Sequence, residues 1–330
     1  MTEKGAKDLH WKEEKLLPYR LGGLLYTPAL NEGIAEKIGT IPDLRALALC
    51  LEDSIRDEAL PRAEEALVRT LAALTKAKDR PLLFVRIRSP RHLERVHRLL
   101  GAAEGLLTGY ILPKFDLSNG EDYARIFKAL NEGRENTPLY MMPTLESGMI
   151  AEPGSRTNML LRVKRVLDSV GEYVLNVRVG ANDFCNLYGL RRSASQTIYD
   201  MGVIRDILMD ILQVFSADYV VSGPVWEYFG QDPEGAWAKG LRAELSLDRL
   251  NGFIGKTAVH PSQLPVICRG LRVSREDYED ARHILGWRHE GLGVARSAAG
   301  DRMNEVKCHR KWAERVCKLA AVYGVREVEE

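Results

Sequence analysis

The 330 residues admit one large domain or two ordinary ones, and 45% hydrophobic with 28% charged content is that of a globular chain able to bury a substantial core. A formal net charge of +1 without a basic block gives nucleic-acid binding no electrostatic footing. No apolar stretch approaches the length of a membrane span, and the polar start "MTEKGAKDLHWKEEK" lacks an apolar signal core, so a soluble cytoplasmic chain is expected. The five cysteines (Cys50, Cys185, Cys268, Cys308 and Cys317) are odd in number and form no C-x-x-C pair, which reads as free thiols in a reducing compartment.

After a polar N-terminal segment, 1–19, short apolar runs recur, each followed by a longer segment of helical periodicity. The runs are "GGLLYTPA" (22–29), "ALALCLED" (46–53), "PLLFVRIRS" (81–89), "LTGYILPKF" (107–115), "PLYMMPTLES" (138–147), "YVLNVRVGAND" (173–183), "ADYVVSGPVW" (217–226) and "FIGKTAVHP" (253–261). Their near-continuous apolar character suits parallel strands covered on both faces. Between them, "LPRAEEALVRTLAALTKA" sets Leu60, Ala63, Leu67, Leu71 and Leu74 on one helical face, while "EDYARIFKALNEG" and "TNMLLRVKRVLDSVG" end on glycines. Eight strand–helix alternations over about 240 residues predict a (β/α)₈ TIM barrel over 20–270. A doubly wound open sheet is the alternative, but it usually carries a Gly-rich turn after its first strand, and this chain has "TPALNEG". Residues 271–330 predict a C-terminal helical extension. "SREDYEDARHILGW" opens with Ser274 and Asp277 at capping-box spacing. "NEVKCHRKWAERVCKLAAVYGV" places Cys308, Trp312, Val316, Leu319 and Tyr323 on a stripe that must cover the chain's own barrel or reach a neighbouring subunit.

Barrel active sites form at the carboxyl ends of the strands. Run two ends in Glu52 and Asp53, run three in Arg86 and Arg88, run four in Lys114, run five in Glu146, run six in Asn182 and Asp183, and run eight in Lys256 and His260. Parity puts Arg86 and Arg88 on one face of run three, and Val177, Val179, Ala181 and Asp183 on one face of run six. Glu146 and Asp183 on adjacent strands would repel unless a divalent cation joined them. Mg²⁺ typically takes one or two protein carboxylates and leaves its other positions to water and substrate. Arg86 could grip a substrate carboxylate with two hydrogen bonds. Each charge alone also has a structural explanation: Glu146 as an acid favoured by a helix N-terminus, Arg86 and Arg88 as ion pairs with Glu52 or Asp53. "GFIGKT" lacks the first glycine of a phosphate loop, and "GLGVAR" lacks the third of a dinucleotide turn. His260 is the one histidine expected near the site; His10, His92, His97, His283, His289 and His309 show no metal-ligand spacing and are expected on the surface.

In this order the segments "LLYTPAL", "LCLEDSI", "FVRIRSP", "ILPKFD", "PTLESG", "VGANDF" and "GFIGKTAVHPSQ" resemble the motifs of the citrate lyase β-subunit and HpcH/HpaI aldolase family, over about residues 20 to 310. "NDFCNLYGLRR" resembles the divergent members encoded beside tellurite-resistance genes. The resemblance implies a (β/α)₈ carbon–carbon lyase with Glu146 and Asp183 as ligands of Mg²⁺, Mn²⁺ being the alternative ion. It implies catalytic roles for Arg86, Glu52, Asp53 and Lys114, and substrate contacts from Arg86, Arg88, Thr27, Pro28, Asn182 and His260. The family's C-terminal "MID" motif supplies an acid able to reach a neighbouring subunit; here the stretch reads "RMNEVKCH", and Glu305 stands where the aspartate is expected. Arg88 stands where the family usually has asparagine, which suggests a more anionic substrate. The expected activity is Mg²⁺-dependent cleavage or formation of a bond next to the carbonyl of a 2-keto or 2-hydroxy acid, in a homo-oligomer, trimer or hexamer. The expected partner is a small carboxylate, with a CoA thioester or phosphate-bearing compound as variants. The alternatives are a Claisen-type thioester enzyme or thioesterase, and a non-catalytic ligand-binding barrel in a stress-response assembly.

Overall fold

The computed structural model describes residues 12–75, 79–134, 137–288 and 291–326; His10, His289 and residues 1–11 of the polar N-terminal segment lie outside them. Eight parallel strands run in chain order: β1 (Gly23–Pro28), β2 (Ala46–Cys50), β3 (Leu82–Arg86), β4 (Gly109–Leu112), β5 (Tyr140–Leu145), β6 (Val177–Val179), β7 (Val221–Ser222) and β8 (Lys256–Ala258). Each falls inside one of the eight apolar runs. Neighbours in sequence are neighbours in space from β1 to β7, and β8 returns to pair with β1, Leu24 opposite Thr257. Gly223 bridges to Lys256 between β7 and β8, so the sheet closes into a barrel, and the open-sheet alternative falls.

The strands form because Ala46–Cys50 or Leu82–Arg86 can be covered on both sides, by barrel interior and by helices. The helices of this unit are α2 (Ile34–Lys37), α3 (Leu60–Leu74), α4 (Pro90–Leu100), α5 (Gly120–Asn131), α6 (Gly148–Ala151), α7 (Arg156–Asp168), α8 (Ala181–Leu187), α9 (Gly202–Phe215), α10 (Ala236–Asn251) and α11 (Gln263–Leu271). In α3 the buried face carries Ala63, Leu67, Leu71 and Leu74 of the expected stripe. Ser89 caps α4 by accepting from His92 N–H at 3.2 Å, and Pro90 supplies a first residue with no amide to satisfy. Gly133, two residues past α5, takes the left-handed φ of 79° expected of a terminating glycine. The glycine after α7 does not: that helix ends at Asp168, and Gly171 begins a short 3-10 turn instead. Among the described residues no helix is long and apolar enough to cross a membrane.

The chain divides into two compact units, Leu21–Ile267 holding the barrel and Cys268–Glu330 joined by the N-terminal segment through Arg20. In the second unit α1 (Glu13–Arg20), α12 (Arg275–Leu285) and α13 (Val306–Tyr323) pack together, with β9 (Val273–Ser274), a hairpin of β10 (Val294–Arg296) and β11 (Met303–Glu305), and β12 (Val325–Arg326) beside β9. Ser274 caps α12, accepting from Asp277 N–H at 3.1 Å, as its spacing predicts. Of the stripe on α13, Val316, Leu319 and Tyr323 are buried, with Tyr323 Oη donating to Tyr19 carbonyl at 2.6 Å, whereas Cys308 in the first turn is exposed.

One expectation about the barrel is corrected. Lys256 does not reach the rim: its side chain is fully buried and meets Glu244 and Asp248 of α10, each at 2.7 Å. Arg192, whose side chain is also buried, approaches the other oxygen of Glu244 at 3.2 Å, and Tyr199 Oη donates to Asp248 at 2.7 Å. Desolvated charges are costly unless paired and hydrogen-bonded, so this network ties the segment after α8 to α10 and β8. The Lys256→Met variant leaves buried Asp248 without a cation and Glu244 with Arg192 alone, and is expected to lose about 3–5 kcal/mol of stability, measurable by urea denaturation.

Candidate active site

The barrel mouth encloses a cavity of about 360 Å³. Seven of the residues expected at the site line it: Thr27 and Pro28 from the end of β1, Asp53 after β2, Arg86 at the end of β3, Glu146 after β5, and Asn182 and Asp183 in the first turn of α8. Glu52 and Lys114 stand behind them and act on the cavity through ion pairs.

Arg86 is the centre of the charge arrangement. Its Nη2 lies 2.8 Å from Glu52, 3.0 Å from Asp53 and 3.3 Å from Glu146. The structural explanation of Arg86 as an ion-pair partner therefore holds, yet its Nε–H is buried and without a partner. Burial works against its charge, but Glu146, Tyr26 and Glu52 outweigh that and keep the guanidinium above its usual range. Lys114 Nζ lies 3.0 Å from Glu52 and 3.6 Å from Asp53. Burial raises Glu52 against the lowering charge of Arg86. In Asp53 burial also works upward, but a hydrogen bond with Glu52 and the charges of Arg86 and Lys114 prevail and hold it below the ordinary range. Two adjoining carboxyls are thus pushed apart.

Glu146 is 5% exposed. Its Oε1 accepts from the Lys114 amide at 3.0 Å, an amide presented by a left-handed backbone at Lys114, φ 49°, whose carbonyl in turn accepts from Asn119 Nδ2 at 2.9 Å. A non-glycine residue in that region is strained, and such strain concentrates where a site needs a donor aimed. The other oxygen, Oε2, occupies space that only a glycine leaves free: a Cβ on Gly180 would lie 1.8 Å from it. Burial, with the charge of Asp183 adding to it against Arg86, raises Glu146 to about 7. Asp183 is raised as well, by burial and the charge of Asp53 against Lys114.

Two expected residues, Arg88 and His260, are placed elsewhere, and Glu305 lies outside the barrel unit. Arg88 is absent from the cavity wall; its guanidinium is taken up by the Leu51 carbonyl at 2.7 Å and by Asp57 and the Ile55 carbonyl, so Arg86 and Arg88 do not act on one site. His260 stacks on Phe229 with ring centroids 4.5 Å apart, and its Nδ1 lies 2.9 Å from Ser262 Oγ. Glu305 belongs to the second unit, where it precedes α13 and its Oε1 accepts from Cys308 Sγ at 3.3 Å. Of the face expected along run six, Val179 and Asp183 line the cavity, but β6 ends at Val179 and Asp183 lies in the first turn of α8, so strand parity does not extend to it. Arg178, between Val177 and Val179, also lines the cavity, with Tyr26, Thr144 and Thr257. An arginine inside an otherwise apolar strand was the available signal.

The charges predict opposite responses. Unfolded, Glu146 titrates near 4.5, while folded it holds its proton to about 7; stability of the metal-free protein should therefore fall as pH rises between those values. Asp183→Asn should move the Glu146 titration down and Arg86→Met should move it up, as read by NMR of ¹³C-labelled glutamate.

No curated protein sequence matches the chain. Among solved structures, CitE from Mycobacterium tuberculosis in complex with magnesium, acetoacetate and coenzyme A aligns at TM-score 0.62 with 20% identity, over 92% of this chain and 100% of that one. A citrate lyase from Burkholderia xenovorans aligns at 0.69 with 16% identity over 92% of each chain, and RipC from Yersinia pestis at 0.52 with 17% identity over 77% and 95%. At these identities the likeness is one of fold. The family profile described as C–C bond lyases of the TIM-barrel fold, however, matches residues 15–325, nearly the whole chain. The chain is therefore a lyase belonging to the TIM-barrel C–C bond lyases.

Proposed function

We propose that the chain is a Mg²⁺-dependent lyase that breaks or forms a bond adjacent to the carbonyl of a 2-keto or 2-hydroxy acid. The observation that carries this reading is the pair Glu146 and Asp183, both lining the cavity that Arg86 enters and each raised in pKa by burial. The donor set fits a divalent cation: Glu52, Asp53, Glu146 and Asp183 bring four carboxylates to Arg86 and Lys114, leaving two negative charges over at the mouth. Among the described residues no group of three or more His, Cys, Asp or Glu side chains is arranged to hold a metal. Two carboxylates with water and substrate completing the shell is the habit of Mg²⁺. Magnesium accompanies acetoacetate and coenzyme A in the M. tuberculosis CitE complex, and oxaloacetate in a second complex aligning at TM-score 0.52 with 22% identity over 77% of this chain and 98% of that one. Those complexes support a small carboxylate substrate, with a thioester as its second portion.

When bound, Mg²⁺ would supply Lewis-acid polarisation and a template for the substrate's carboxylate and adjacent oxygen. Asp53 faces the cavity and is ionised, so it is placed to take the substrate hydroxyl proton as the C–C bond breaks. Arg86, which lines the cavity, brings its positive charge to the oxygen that becomes negative in that step. Lys114 neutralises Glu52 and Asp53 from behind.

Calorimetric titration of Mg²⁺ tests the ligands: Glu146→Gln and Asp183→Asn should each weaken binding at least about 10-fold. Gly180→Ala should do the same by displacing Glu146 Oε2, and unaltered affinity in all three variants would sink the assignment. Because the proton on Glu146 competes with the ion, wild-type Mg²⁺ affinity should drop as pH falls below about 7. Arg86→Lys should fold, bind Mg²⁺, and lose about 10²–10³ in kcat.

A further inference from the structure

Beneath the Glu146–Asp183 mouth lies a second polar layer that the mechanism above does not use. Tyr26, Thr144, Arg178 and Thr257 contribute it from β1, β5, β6 and β8, and all four line the cavity. Thr144 stands opposite Arg178 in the β5–β6 register, each two residues before a mouth position, Glu146 and Gly180. Arg178 is 2% exposed. Its Nη2 donates to Thr257 Oγ1 at 2.6 Å and its Nη1 to Asn176 Oδ1 at 3.4 Å. Both partners are neutral. Among the described residues no carboxylate comes within ion-pair distance of Arg178, although buried Arg192 and Lys256 in the same unit are both matched with acids.

A guanidinium does not escape burial by losing its proton, so an unmatched one in the interior carries the full cost of desolvation. Burial accordingly presses the affinity of Arg178 for its proton below the ordinary value, against the opposing influence of Tyr26, and the charge of Arg86 adds to the lowering more than the Glu146 carboxylate, beyond ion-pair distance, offsets it. Nearby, Thr144 Oγ1 is buried with no partner, and so is Arg86 Nε. One small cavity therefore holds a cation with no charge partner, Arg178, and two donors with no acceptor, Thr144 Oγ1 and Arg86 Nε. Such a set is unfavourable empty and favourable around an anion.

We infer that the floor formed by Arg178, Thr144 and Thr257 is a subsite for a second carboxylate, and that the substrate is a compact 2-oxo or 2-hydroxy acid bearing an anionic group at its far end. This rests on the proposal that Glu146 and Asp183 hold the metal and thereby the first carboxylate. The planar fork of arginine matches a carboxylate with two parallel hydrogen bonds, and a hydroxyl donor beside it completes the recognition. The extra positive charge that sequence assigned to Arg88 is thus supplied by Arg178 instead.

Titration calorimetry at saturating Mg²⁺, with chain-matched pairs of acids, tests this. Oxaloacetate is compared with 2-oxobutyrate, and 2-oxoglutarate with 2-oxovalerate, on wild type and Arg178→Met. In wild type at least one diacid should bind about 10- to 100-fold tighter than its monoacid. In Arg178→Met that preference should shrink below about 3-fold, with monoacid affinity retained. The Tm of the variant should stay level or rise, since an unmatched buried charge is replaced by an apolar side chain. Equal binding of diacid and monoacid by wild type, or a preference that survives in Arg178→Met, overturns the subsite. If Arg178→Met fails to fold, Thr144→Val decides: it keeps the arginine, and a preference reduced at least about 3-fold supports the subsite while an unchanged one overturns it. A diacid preference that depends on Arg178 but not on Mg²⁺ would keep the subsite and sink the metal reading. Binding of none of the four acids would sink both.

Discussion

One guanidinium nitrogen, Arg86 Nη2, lies within 3.3 Å of Glu52, Asp53 and Glu146, and the mouth of the barrel is organised around that contact. Three acids from the ends of β2 and β5 cannot crowd together in a partly desolvated space without it, and Arg86 reaches them only because β3 runs between β2 and β4 and ends at its Cα. The closed parallel sheet thus does more than supply a core. It brings chain-distant acids to one rim at spacings where their titrations interact.

The acids do not respond alike, and the differences follow from depth. Glu146 is buried on all sides but one, so desolvation dominates and holds it near 7; Asp53 stands at the cavity edge with two cations in reach and stays ionised. Environment, not residue type, separates the acid that holds its proton from the acid that stays ionised. Lys114 takes part twice, with its amide on Glu146 and its ammonium on Glu52, which is why its strained backbone matters as much as its charge.

Much of this was legible in sequence because strand ends in a barrel carry the site. The runs at 22–29, 46–53 and 138–147 contain the strands, and their terminal Thr27, Asp53 and Glu146 reach the cavity as expected. What failed was parity where strands are short. β6 is three residues long, too few for alternation to reveal which side faces inward, so Arg178 was missed. β8 is equally short, and Lys256 turned outward to meet acids from α10, a helix-borne partnership no strand pattern announces. Arg88 shares parity with Arg86 but lies past the end of β3, where the loop after β2 captures it. The left-handed backbone at Lys114 and the contact between Gly180 and Glu146 depend on tertiary fit and leave no local trace.

That last contact has a wider consequence. Glu146 Oε2 occupies the volume a side chain at position 180 would need, so the two positions behave as a single lock. Across diverging relatives of this chain, a glycine at 180 is free to persist without the acid, but the acid in this pose cannot persist without the glycine. The substitution order is therefore one-way: descent that abandons the chemistry must lose or move the carboxylate before, or together with, any thickening of the strand opposite. A side chain at 180 in such a relative would mark a barrel whose buried acid has already been lost or moved.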